Sequence, residues 1–526
     1  MSNETGPDQA HPAADPPKAP RWRRPSILVP ALAALVAVVL VVGSLFRAPT
    51  ERDEVPQESP SPTAEASPPR EEPTPPIERP TAAQAKRLGL HYTDIELGIW
   101  RERAEEGPYR EAGDVSDNSP GDWERISDNT EAFIDDPEDS HWAPSFDGCI
   151  PNNEKHEPSM SKSDEIRDAA FYALVSDDEE LGRAVVEQLV DQAEEDRADF
   201  SDEQRFCPDE VEDSHPHYVL AQWMTKMLYA FDYVKQWADD DEAATVRTWL
   251  DDAAAFLLPE TQSVFDRLFA DRPDGDYSPI NEPKFEGVGF YGSQETTTYS
   301  RHYSNRWGNI VRYIGLVGVE QANDEYIAAA KQWGKEFLMF AVYPDGWVSE
   351  LQRWLPNDES AAGHELGYTY AANMIGQMIS LADALARTGD TELYDYVTSE
   401  GLYGTEGGSK SIEFTIESMA HHLDGTYDRY GTDESDQAGD EDYRIDSIFD
   451  GGEYYSVHDV MLAPANLYYR NPYIRDMYTR SGDDMPPYPE DEAVNGSHPV
   501  WAGESGTLPG VLFMFGQTEE LVDPYP

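Results

Sequence analysis

Residues 296–319 read TTTYSRHYSNRWGNIVRYIGLVGV and hold no acidic residue, in a chain where 103 of 526 residues are Asp or Glu. Arg301, His302, Tyr303, Asn305, Arg306, Asn309 and Arg312 all fall in that window. Cationic, phenolic and amide groups at the start of a helix, where the backbone N–H groups point outward and the macrodipole is positive, form a site for an anion such as a carboxylate. From Ile310 to Val319 the missing acids are what any buried helix shows, so the chemistry is expected in the first half of the window.

A second cluster follows the next helical stretch: Tyr343-Pro-Asp-Gly-Trp347-Val-Ser-Glu350-Leu-Gln-Arg353-Trp354, then His364-Glu365-Leu-Gly-Tyr368-Thr-Tyr370 at the opening of another helix. Pro344-Asp-Gly is a turn by its composition. Glu350 and Arg353, three apart, either pair on the surface or divide their roles. In the second case Arg353 holds a substrate carboxylate in a bidentate contact, and Tyr368 or Tyr370 exchanges a proton. Among the tryptophans, Trp223, Trp237 and Trp333 read as core, whereas Trp307, Trp347 and Trp354 adjoin the polar clusters and could stack on sugar rings.

The elements that must position these residues are helical and come in pairs. Apolar positions at spacings of three and four predict helices over Glu165–Val175 and Leu181–Ala193, His217–Trp237 and Ala243–Leu258, and Ser304–Val319 and Tyr326–Tyr343, with Gly367–Thr388 opening a fourth pair. Short acidic connections such as Ser176–Glu180 and Gly389–Glu392 suit antiparallel neighbours. Hairpins of unequal period predict an all-α domain, an incomplete α/α toroid in preference to a regular solenoid. The long segments Pro259–Thr298 and Trp354–Leu366 would be its rim loops. The stretch Thr426–Asp450 lacks the D-x-D-x-D-G spacing of a calcium loop and reads as a solvated acidic loop. No metal or organic cofactor is implied.

Ahead of this domain, expected over 83–526, lie three further segments. Ile27 to Phe46 is uncharged, and at ~1.5 Å per residue it is long enough for the ~30 Å core of a bilayer. Lys18, Arg21, Arg23 and Arg24 precede it, so residues 1–26 are expected in the cytoplasm and the bulk of the chain outside the cell, as a single-pass membrane protein. A cleaved signal peptide is the alternative, but its apolar region is shorter and no A-x-A site follows Phe46. Residues 47–82 are rich in Pro, Glu, Ser and Thr and read as an extended stalk. Cys149 and Cys207 either form one disulfide, which an external compartment permits, or remain two separate buried thiols.

The 103 acidic against 39 basic residues give a net charge of -64 and a pI near 4.2. That excludes a nucleic-acid binder working through a basic face. Self-repulsion of this size suits high salt, where the Debye length falls to about 3 Å. Nothing in the composition sets the oligomeric state.

Over roughly Asp164 to Gly516 the chain resembles the alginate lyase superfamily. The resemblance rests on the hairpin around Ala169, LYAFDYV at Leu228–Val234, SNRWGN at Ser304–Asn309 and PDGWVSELQR at Pro344–Arg353. It implies an incomplete α/α toroid that cleaves a uronate polysaccharide by β-elimination, without a cofactor. Asn305 matches an Asn of the family's Asn-Asn-His motif and Arg353 the Arg of its Glu-Leu-x-Arg motif. Arg306 or Trp307 stands where the family has its His, which leaves that role to His302 or His364. Tyr368 comes fifteen residues after Arg353, later than in the family. In the implied reaction Asn305, Arg306 and Arg353 neutralise the carboxylate so that C5 can lose its proton to a Tyr or His. Tyr303, Trp307, Asn309, Trp347, Trp354 and Glu350 would line the substrate. Two other readings use the same scaffold: a cell-surface glycan-binding module without catalysis, and a toroid glycoside hydrolase drawing on Glu350, Asp345 and Glu365.

Overall fold

The computed structural model describes residues 85–106, 122–141, 146–147, 150–151, 153–195, 215–261, 303–342, 344, 346, 348, 361–401, 404–423, 464–471, 508–515 and 523–526. The chain divides into Met1–Pro73 and Thr74–Pro526, and every described residue belongs to the second unit. The expected membrane span, the stalk, Cys149, Cys207 and the acidic stretch Thr426–Asp450 lie outside the described residues. Among the described residues no helix is long and apolar enough to cross a membrane.

The described part is mostly helical. In chain order it holds α1 (Asp94–Glu106), α2 (Asp122–Asp135), the short antiparallel pair β1 (Phe146–Asp147) and β2 (Ile150–Pro151), α3 (Asn153–Ser176) and α4 (Glu179–Glu195). Next come α5 (His215–Val234), α6 (Asp240–Leu257) with a 3-10 turn Leu258–Thr261, α7 (Asn305–Gln321) and α8 (Asp324–Phe340). The chain continues through α9 (Ala361–Ala386), α10 (Glu392–Asp395), the hairpin β3 (Thr398–Gly401) with β4 (Gly404–Lys410), α11 (Ile412–Leu423) and α12 (Val511–Phe515).

Three of the four expected helical pairs form as α3/α4, α5/α6 and α7/α8. Their links are too short for anything but an antiparallel return: Asp177–Asp178, 235–239 and Ala322–Asn323. Each link has its own device. Asp177 takes a left-handed conformation (φ 58°), as does Ala322 (φ 55°), a position more often given to glycine because a Cβ is crowded there. Asp239 caps α6 through the backbone N–H groups of Asp241 and Glu242, and the Glu242 carboxylate accepts the Asp239 N–H in return. Asn323 caps α8.

The leading helices of the pairs pack in succession, α3 on α5, α5 on α7, α7 on α9 and α9 on α11. The trailing helices make a second row, α4 on α6, with α6 reaching α8 through the 3-10 turn. Helices in the leading row run parallel. Lys226 and Asp164, each the twelfth residue of its helix, join α5 to α3 at 2.9 Å, and the glycines of α7 lie level with matching positions of α9. Between α7 and α9 the approach is close enough that a Cβ on Gly308 would overlap Gln377 and Met374, and one on Gly315 would overlap Leu381 and sit 2.9 Å from the Ala330 Cβ.

The fourth pair differs from expectation. After α9 the chain makes only the four-residue α10, then the β3–β4 hairpin, whose GTEGGSK strand is too rich in glycine and polar residues to continue as a helix. Residues 361–366, expected in a rim loop, are the first turns of α9. Helices α1 and α2 were not singled out by periodicity. In α1 the inward residues Leu97 and Trp100 stand among charged ones, and α12 seals it by accepting the Trp100 indole N–H at the Met514 carbonyl, 2.9 Å, and the Arg103 guanidinium at Phe513.

Candidate functional site

The two ends of the rows are built differently. At one end lie the tight, capped links and the C-terminal ends of α3, α5, α7 and α9; at the other the leading helices begin, after connections that leave α4, the 3-10 turn and α8. The expected site belongs to this second end.

Ser304 is the N-cap of α7 in an extended conformation, as the SNRWGN stretch predicts, and the first turn of the helix carries no acidic residue. Its positive dipole end is therefore unopposed by the helix's own side chains. Arg306 is half-buried, in contrast to the wholly buried Arg312 of the same helix. Asn305 is 5% exposed and sits beside it.

Tyr303, Trp307 and Asn309, expected to line substrate, are inside. Tyr303 is fully buried, edges onto Trp333 and Phe340, and donates its hydroxyl to the Glu336 carboxylate at 3.0 Å; Gln332 donates to the other oxygen of Glu336 at 2.8 Å. Trp307 is 4% exposed. Asn309 donates to the Asn305 carbonyl at 3.0 Å and accepts from Arg312 at 2.8 Å. Arg312 is itself wholly buried, and loss of hydration lowers its pKa to about 10, an effect partly offset by the Tyr229 oxygen. These four side chains brace the start of α7 from behind. The reason is periodicity: with α7 held against α5, α6 and α9, almost its whole circumference is interior.

The Pro344-Asp-Gly turn is present as expected. Val342 and Val348 bridge antiparallel across it, and Gly346 has φ 83°, which a Cβ would resist. The turn is gripped from two sides. A Cβ on Gly346 would come 2.7 Å from Ser418 and 3.0 Å from the Phe414 carbonyl, and Gly408 of β4 (φ 76°) lies against the Pro344 backbone. The strand hairpin and α11 thus fix where the chain sets out toward Trp347, Glu350 and Arg353. His302, Trp347, Glu350, Arg353 and Trp354 lie outside the described residues.

The backbone of α9 places the remaining candidates. Because Gly308 is level with Met374 and Gln377, the start of α7 is level with the region of Asn373, and α9 projects beyond it by roughly ten residues, about 15 Å. Tyr370 and Tyr368 fall within about one turn of the level of Asn305, and His364 about one turn further out. The structure therefore brings Asn305, Arg306 and the backbone positions of Tyr368 and Tyr370 to one end and one pair of adjacent helices.

A polar cluster that sequence reasoning passed over lies at the opposite end. His91 Nδ1 is 2.8 Å from Asp383 Oδ2, and its Nε2 is 3.0 Å from the Tyr229 hydroxyl and 3.5 Å from the Ser380 hydroxyl. Ser380, His91 and Asp383 have the composition of a nucleophilic triad, but Tyr229 holds the nearer place on Nε2 and all four residues are at most 5% exposed. The cluster therefore acts as an internal tie. The signal was available at the end of α9, where Asp383 and, just past the helix, Arg387 interrupt an apolar stretch four residues apart. Among the described residues no group of three or more His, Cys, Asp or Glu is placed to hold a metal ion. Compared with known proteins, the chain matches no family model, no curated protein and no solved structure.

Proposed function

We propose that the protein is an outward-facing polysaccharide lyase, anchored by residues 27–46 and standing off the membrane on the Pro-rich stalk, whose helical rows curve into an incomplete α/α toroid. Its substrate is an acidic polysaccharide containing uronate, cleaved by β-elimination. The observation that carries the reading is the end of α7: a helix start with no acid in its first turn, a half-buried Arg306 beside Asn305, and α9 running past it with Tyr368 and Tyr370 at the adjoining level.

The chemistry follows from the charge. A C5 proton next to an ionised carboxylate is too weakly acidic to remove, so the carboxylate must be neutralised by fixed donors as the enolate charge develops. Arg306, Asn305 and the N–H groups of the first turn of α7 supply that, with Arg353 as a second cation arriving from the Pro344-Asp-Gly turn. Tyr368 or Tyr370, or His302 or His364, takes the C5 proton, and a tyrosine hydroxyl protonates the leaving glycosidic oxygen. The net charge of -64 repels a polyanion at long range, but molar salt confines that repulsion to a few ångströms, where Arg306 and the helix dipole set the local sign.

Incubation of the protein in molar salt with a panel of uronate polysaccharides, followed at 235 nm, tests the reading. A rise in absorbance reports a 4,5-unsaturated uronate and supports elimination. The second reading, a glycan-binding module, is favoured by the burial of Tyr303, Trp307 and Asn309, which leaves fewer groups to act on a sugar. Retention of the same glycans on a column with a flat absorbance trace would select it. New reducing ends without absorbance would select the hydrolase.

A further inference from the structure

The segment 523–526 is folded into the core at the closed end of the leading row. Tyr525 is 3% exposed, and its hydroxyl donates to Asp383 Oδ1 at 2.7 Å. Its ring meets Tyr468 edge-on at 5.3 Å, and the Arg387 guanidinium lies over it at 5.9 Å. Asp523, buried near Arg470, accepts the Tyr525 N–H at 3.2 Å, which shapes the segment into a tight bend.

The other oxygen of the same carboxylate holds the arm that precedes α1. Asp383 Oδ2 is 2.8 Å from His91 Nδ1 and 2.8 Å from Arg387 Nε. The Arg387 fork then takes both oxygens of Glu96, at 2.7 and 2.9 Å, and Glu96 accepts the Thr93 backbone N–H and hydroxyl at 2.8 Å each. The arm itself spans from α9 to α5: Leu90 N–H donates to Asp232 at 2.9 Å and His91 reaches Tyr229. Residues 91 and 525 thus meet on the one side chain of Asp383; the arm is closed at its base by the antiparallel bridge of Arg87 with Thr93.

We propose that residues 523–526 form a strap which, through Asp383, locks the arm 86–93 over the ends of α5 and α9, and that the strap is the release point of this end of the fold. Releasing it frees the arm as a local unit while the helical rows stay folded, and uncovers the polar side chains at the ends of α5 and α9. The logic is that of sub-global opening: the arm's backbone hydrogen bonds close it on itself, Leu88 and Gly89 N–H to the Tyr92 carbonyl and Asp94 N–H to the Lys86 carbonyl, so side-chain ties such as those of Asp383 and Asp232 are what hold it, as a unit, to α5 and α9.

Amide hydrogen exchange on the full-length protein tests this with two variants, Tyr525→Phe and a chain ended after Val522. Exchange of the Leu90 amide, which donates across to Asp232 of α5, is expected to speed up at least tenfold in both, with the helical amides of α3 to α6 unchanged. Arm exchange at the wild-type rate in Tyr525→Phe, or a rise in arm exchange only together with α3 to α6, would overturn the proposal. If the shortened chain does not fold, Tyr525→Phe decides the matter on its own, because it removes one hydroxyl and leaves the ring packing in place.

Discussion

The two ends of the helical rows use charge in opposite ways. At the closed end carboxylates and cations are paired and buried: Asp383 with His91 and Arg387, Arg387 with Glu96, and Lys235 with Asp232 and Glu320. At the open end, the segment from Tyr303 to Val319 carries Arg306 and Arg312 and no acidic residue of its own. A protein with 64 surplus negative charges has kept one stretch free of them, while further buried pairs, Arg167 with Asp164 and Asp168 and Lys226 with Asp164, sit midway along α3 and α5. The lesson is a division of labour. The closed end gives the helices a fixed register, and under the proposed function that register presents the start of α7 to the glycan.

The largest test of this division is to break the closed end. Asp383→Ala leaves the buried Arg387 without one of its two carboxylates and His91 Nδ1 without its partner, and is expected to cost about 3–5 kcal/mol in denaturant unfolding. The same group sets a pH limit. The Arg387 and His91 contacts outweigh burial and hold the Asp383 carboxyl below its ordinary range. A depressed folded pKa contributes stability that is present above the unfolded value of about 3.9 and is lost as pH falls through the folded value. Acid unfolding should therefore begin below about pH 4, and Asp383→Asn should flatten that limb of the stability curve.

Next in size is the α7–α9 contact that joins the two ends. Gly315→Ala puts a methyl against Leu381 and the unyielding Ala330 Cβ, for an expected loss of about 1–3 kcal/mol. Gly308→Ala, nearer the open end, meets only the side-chain ends of Gln377 and Met374, which can move, and should cost less. Thermal unfolding of the two variants side by side checks the order.

The cap of α6 is smaller again. Asp239→Ala removes the acceptor for two N–H groups at a tight link, worth about 1 kcal/mol. The surface network of Lys331, Lys335 and Glu392 should contribute least. Hydrogen bonds from the two lysines bring the Glu392 pKa down to about 2, yet its side chain is 45% exposed and salt screens it, so Glu392→Gln should cost no more than about 0.2–1 kcal/mol. That contribution should be present above about pH 4.5 and fade as pH falls toward about 2.

What could be read from the sequence follows the range over which each signal acts. Spacings of three and four announce α3 to α9, and short acidic links such as Ser176–Glu180 announce a tight return, because amphipathicity is local; the caps Asp239 and Asn323 are local signals of the same kind that periodicity leaves unused. The Pro344-Asp-Gly turn was legible for the same reason. The strand hairpin after α10 was not, since glycine-rich polar segments are equally loop-like. Nor was the tie at Asp383: His91 and Asp383 are 292 positions apart and Tyr525 lies 142 further on, and only the fold brings them together. At the candidate site, residue types were readable but depth was not. Tyr303 and Asn309 look like ligand contacts in a list of polar residues, and become braces once α7 is surrounded by α5, α6, α8 and α9.

The most direct test of the division of labour pairs one variant from each property. Arg306→Ala is measured for denaturant unfolding and for the rate of absorbance change at 235 nm on the best uronate polysaccharide of the panel. The account predicts unfolding within about 0.5 kcal/mol of wild type, as for a surface change, together with loss of product formation. Cleavage at the wild-type rate by Arg306→Ala, or a loss of activity matched by a loss of several kcal/mol in stability, would contradict it.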